Sequence, residues 1–89
     1  MFKFDVEKFR LRFIQTREER GLIKTKLSTI SGVNHATIVN LENHGLVPNI
    51  KNLILLADAL DCSVDYLCGL EDKDGKPSVA FLIKEEAEV

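Results

Sequence analysis

Four residues, Ser31-Gly32-Val33-Asn34, separate two short stretches of helical character, and no other feature of the chain limits its fold as tightly. Upstream, the segment Lys24 to Ser31 sets Leu27 and Ile30 three residues apart, the spacing of one inward helical face. Downstream, Asn34 is a favourable N-cap for a helix from His35 to about Asn43, in which Ile38 and Leu41 point inward together. Gly32 permits the sharp turn between them, and Val33 is placed to plug the angle where they meet. Segments this short are not stable alone, so other elements must cover them.

Those other elements are legible on either side. Asp5 is a cap for a helix starting at Val6, along which Val6, Phe9, Phe13 and Arg17 follow helical spacing, and Gly21 ends it. Leu11 and Ile14 fall off that stripe. Ile23 is a poor cap for the helix at Lys24, so Thr25 is an alternative start. Beyond "LVPNI", Asn49 caps a helix from Ile50 to Leu60 with Ile50, Leu53, Leu56, Ala57 and Leu60 inward, and Ser63 caps a fifth, "VDYLC", with Asp65 in its first turn. "EDKDGKP" reads as a polar turn. The tail "SVAFLIKEEAEV" is strand or helix on periodicity, its apolar run favouring strand and its Glu and Ala content helix. The division is a domain over residues 1–70 and a tail over 71–89, all-α in class.

With 89 residues the chain supports one domain with a modest core. No run of apolar residues is long enough to span a membrane, and "MFKFDVEKFR" lacks the apolar centre of a signal peptide, so the expected location is cytoplasmic. Cys62 and Cys68, spaced C-x5-C, do not form a disulfide framework, and with His35 and His44 they fit no common zinc spacing; no metal or cofactor is expected, and buried thiols are. Net charge is −2, but residues 1–52 carry +4 and residues 53–89 carry −6. A positive front and an acidic rear orient a molecule toward a polyanion, because the local field matters more than the total.

Two short helices around such a turn make a helix-turn-helix, a pattern that an αα-hairpin without any nucleic-acid role shares. The chain resembles the lambda-repressor-like, XRE-type helix-turn-helix family over residues 9 to about 70. The resemblance rests on Arg17, "GL" at 21–22, Leu27, "GV" at 32–33, Ile38, "LE" at 41–42, Pro48, Leu53, Ala57, Leu60 and "SVDYL" at 63–67. It implies a five-helix DNA-binding domain that reads the major groove of double-stranded DNA with the second motif helix. In this chain the base-contacting residues would be His35, Ala36, Thr37, Val39 and Asn40. Asn40 suits a bidentate pair with adenine, His35 a bond to guanine or phosphate, and Ala36 and Val39 a thymine methyl. Lys24, Lys26, Asn43, His44, Gly45 and Lys51 would meet phosphates. Arg17 and Glu42 would form an ion pair tying the first helix to the reading helix.

Three positions depart from the family pattern. His44 stands where a Gly with positive φ is usual, which implies a shifted or strained loop; Ser28 replaces a small apolar residue, which implies slightly looser packing; Ile23 replaces the usual cap. One reading helix offers little sequence discrimination, so a homodimer is expected, with the arm "MFKF" and the tail "VAFLI" either forming the subunit contact or covering their own core. The function implied is a transcriptional regulator, a repressor in its simplest form. The alternative is a protein-interaction module such as an antitoxin, whose acidic rear binds a basic partner. No nucleophile, base and carboxylate set suggests an enzyme.

Overall fold

Asp5 opens the first helix: its carboxylate accepts the Lys8 backbone N–H at 3.0 Å, satisfying one of the donors a helix start leaves free. The computed structural model describes residues 4–70, which form α1 (Val6–Glu19), α2 (Lys24–Ser31), α3 (His35–His44), α4 (Ile50–Ala59) and α5 (Val64–Leu67). Asn34, Asn49 and Ser63 cap α3, α4 and α5 through their side chains, as their sequence positions predict. α2 starts at Lys24 with Ile23 ahead of it and no side-chain cap. α3 runs one residue past the expected Asn43, and α4 stops at Ala59 with Leu60 closing it.

α2 packs on α3 and α4, while α1 crosses under α3 and α5. Phe9 and Phe13 of α1, Leu27, Val33, Ile38, Leu41, Leu53, Leu56, Ala57, Leu60 and Leu67 form one buried core. Each large side chain so removed from water stabilises the fold by roughly 1.5–3 kcal/mol relative to its exposed state. Two expected core residues lie outside. Ile30 is 49% exposed because Ser31, not Ile30, completes the inward pair with Leu27, drawn in by its bonds to the turn. Ile50 is 65% exposed, since it opens α4 at the rim, and burial starts one turn later at Leu53. Thr16 is buried instead, its hydroxyl donating to the Arg12 carbonyl at 2.7 Å.

The arginines of α1 have an unexpected role. Arg10 Nε donates to the Glu42 carbonyl in the last turn of α3, Arg12 Nη1 to the Tyr66 carbonyl of α5, and Arg20 Nε to the Leu60 carbonyl that closes α4, each at 2.8 Å. Arg12 also lies over the Tyr66 ring, 4.4 Å from its centroid. α1 and its closing residue Arg20 thus supply cations to the C-terminal ends of three other helices, where carbonyls lack partners and the helix dipole favours positive charge. Much of the positive charge of the front half therefore serves the fold rather than an outside polyanion, which revises the electrostatic expectation.

Both cysteines are free and half-buried, and burial pushes each thiol above the ordinary range. Of the arm, Phe4 is described, and its ring leans on Phe9 at 5.6 Å, so this part of the arm covers its own subunit. Strand or helix for the tail "SVAFLIKEEAEV" lies outside the described residues, as does any contact it makes.

Candidate nucleic-acid interface

The turn between α2 and α3 is held from both sides. Gly32 takes the left-handed conformation at φ 77°, and nothing stands near the place a Cβ would occupy, so the backbone angle alone calls for glycine there. Val33 is then driven into the core, 1% exposed, and its backbone groups lose water with it. Two serines answer. Ser31 Oγ accepts the Val33 N–H at 3.1 Å, and Ser28 Oγ donates to the Val33 carbonyl at 2.6 Å. Ser28 was expected to loosen the motif; it fastens it.

The far end of α3 is fixed by charge. Glu42 is buried, with 4% of its side chain exposed, and Arg17 from α1 meets it with two bonds, Nε to Oε2 at 2.6 Å and Nη2 to Oε1 at 3.0 Å. This is the expected ion pair, in the bidentate geometry that suits a guanidinium and a carboxylate. The hydrogen bond to Glu42 holds the Arg17 pKa above its ordinary value. Arg17 Nη1 also donates to the Leu22 carbonyl at 2.8 Å, so one side chain joins α1, the α1–α2 connection and α3. His44 is helical and unstrained. The left-handed position falls one residue later at Gly45, with φ 67°, where a Cβ would come within 3.1 Å of Val6 Cγ1. The extra residue extends the helix instead of straining the loop.

Fixed at both ends, α3 turns Ile38, Leu41 and Glu42 inward. His35, Ala36, Asn40, Asn43 and His44 are exposed, while Thr37, Val39 and Gly45 are half-buried. At about 100° per residue, Ala36, Asn40 and Asn43 lie within one narrow stripe. That stripe carries amides and a methyl, and α3 has no Lys or Arg. Lys26 and Lys51 are exposed on α2 and α4. Lys24, expected to meet a phosphate, has its Nζ 3.9 Å from Glu42 Oε1, with about a third of its side chain exposed. The supporting residues Arg10, Ser28 and Ser31 were not singled out from the sequence as parts of the site. Of these, only the serines leave a local signal, as hydroxyls spaced S-x-x-S immediately before Gly-Val. Among the described residues no three His, Cys, Asp or Glu side chains come together in a way that could hold a metal, and no helix is long and apolar enough to cross a membrane.

Two short helices braced at a sharp turn, with the second held outward, define a helix-turn-helix protein. A helix-turn-helix family model, HTH_3, matches residues 14–67, more than half of the chain, and the protein belongs to this family of DNA-binding transcriptional regulators. Among solved structures, the restriction-modification controller protein C.AhdI from Aeromonas hydrophila is similar, with 28% sequence identity and a TM-score of 0.65 over 71% of this chain and 96% of that one. No match was found among curated proteins.

Proposed function

We propose that the protein is a sequence-specific repressor that lays α3 in the major groove of operator DNA as a homodimer and acts in the cytoplasm by excluding polymerase from the site it occupies. The observation that carries the reading is the exposed stripe of Ala36, Asn40 and Asn43 on a helix whose two ends are locked. A helix that reads base edges needs directional polar groups and small apolar ones in fixed positions, and α3 offers both. His35, Ala36, Thr37, Val39 and Asn40 contact bases. Lys24, Lys26, Asn43, His44, Gly45 and Lys51 contact phosphates and set the register. The likeness to a controller protein supports a regulatory role.

A homodimer is supported by need and by surface. One reading helix covers a few base pairs, and two-fold pairing brings a second onto a half-site roughly 34 Å away. Leu46, Val47, Ile50 and Ile54 leave apolar side chains exposed along α4 and the loop before it. We assign residues 71–89 to the same subunit contact, as a dimerisation element.

The test is a pair of variants in a salt titration. Asn40→Ala lowers affinity for the specific site by about 1–3 kcal/mol and relaxes sequence choice. Lys24→Ala weakens binding to all duplexes alike and flattens the salt slope by about one unit. Wild-type behaviour in both variants would show the docking face to be wrong.

A further inference from the structure

Which bases this face reads follows from the groups it lacks. Guanine is most often read by the paired donors of Arg or by Lys, and the cytosine amino group by a carboxylate. Residues 35–44 contain no Arg and no Lys, and their one carboxylate, Glu42, is buried and bound twice by Arg17. The guanidinium groups that reach α3 are committed elsewhere: Arg17 to Glu42 and the Leu22 carbonyl, Arg10 to the Glu42 carbonyl and to Glu7. Lys24 is drawn toward the same carboxylate. What remains exposed on the stripe is the Asn40 amide, the Asn43 amide and the Ala36 methyl, with Val39 half-open on the flank. His35 at the start of the helix and His44 at its end are the imidazoles of α3 suited to guanine, and each offers a single bond where Arg would offer two.

We infer that the centre of each operator half-site consists of A·T pairs, with an adenine read by Asn40 and a neighbouring thymine methyl packed against Ala36. An amide pairs bidentately with adenine N6 and N7, and a side-chain methyl suits the thymine C5-methyl; no other base matches this combination. The inference rests on the regulator reading, and it fixes the chemical class of DNA which that reading leaves open.

The experiment is selection of bound duplexes from a random pool by the full-length chain and by its Asn40→Ala variant, with circular dichroism to verify that both are folded. Asn40 is exposed, and among the described residues its side chain makes no hydrogen bond that the substitution would remove. The expected consensus has an A·T pair in each half-site whose preference disappears in Asn40→Ala, with affinity for the original site falling roughly five- to a hundredfold. Replacing the adjacent thymine by deoxyuridine removes only a methyl and lowers affinity roughly three- to fourfold. A consensus made of G·C pairs, an A·T preference that survives Asn40→Ala, or indifference to deoxyuridine overturns the inference while leaving the regulator reading in place. Failure of the folded protein to bind any duplex overturns both.

Discussion

Glu42 is met by three cations, two at its carboxylate and one at its backbone carbonyl. Its carboxylate takes two bonds from Arg17 and lies 3.9 Å from the Lys24 ammonium, while its carbonyl takes a bond from Arg10. Removing one partner of a buried pair strands the other, which is why Arg17→Met should destabilise the protein by about 3–5 kcal/mol in urea unfolding. Lys24 alone does not replace the lost bonds, since its contact is long and partly open to water. Combining Arg17→Met with Glu42→Leu removes the stranded charge, so the double variant should be more stable than the Arg17 variant alone. A double variant whose loss equals the sum of the two single losses would mean that the two side chains are not energetically coupled. The pairing was legible through the family resemblance, which implies an ion pair between Arg17 and Glu42; their places on inward-turning helix sides agree with it. The roles of Arg10, Arg12 and Arg20 were not. Their acceptors lie 32, 54 and 40 residues away, at helix ends whose neighbours only the tertiary fold decides.

Helix starts were read from sequence more reliably than helix faces, and for a physical reason. A cap is a local bond, so Asp5, Asn34, Asn49 and Ser63 mark their helices wherever those helices pack. Burial is a property of neighbours: Ile30 and Ile50 have the right spacing but face no partner, whereas Ser31 has the wrong polarity and is buried. The α2–α3 turn shows how polarity can be the better choice. Val33 fills the junction only because Ser28 and Ser31 satisfy its carbonyl and its N–H. Ser28→Ala leaves that carbonyl without its donor, and the expected loss is about 1–3 kcal/mol in thermal or urea unfolding. The same variant should bind operator more weakly per folded molecule, since the angle of α3 depends on the turn. A variant as stable as wild type would mean that water replaces the hydroxyl. The α4–α5 connection closes in the same manner as α1, with backbone bonds from Asp61 to Asp58 and from Cys62 to Ala57, but there Asp61 rather than glycine takes the left-handed position at φ 55°. Asp accepts that conformation more readily than most side chains.

At the scale of the whole molecule, charge and apolar surface divide the labour. The α1 arginines neutralise helix ends inside the domain, which leaves Lys24, Lys26 and Lys51 as the cations proposed for phosphates. With so few per subunit, the proposed dimer would add the contacts of both subunits, and the steepness of the salt dependence should then reflect the sum over both. The exposed side chains of Ile50 and Ile54, one turn apart on α4, then have a use as part of a two-fold contact, where the same patch meets its copy. Ile54 is 52% exposed, so Ile54→Asp should leave the subunit folded. At a two-fold contact it sets two carboxylates near each other in an apolar setting, which disfavours pairing. Sedimentation should then show monomers at concentrations where the wild type is dimeric. Binding to a two-half-site operator should weaken tenfold or more, because the second subunit no longer arrives with the first. Binding to a single half-site should change little. A chain ending at residue 70 separates the two parts of the proposed contact: if it remains dimeric while Ile54→Asp does not, α4 holds the subunits together and the tail has another purpose. If Ile54→Asp sediments and binds as the wild type does, the exposed face of α4 is not where the copies meet.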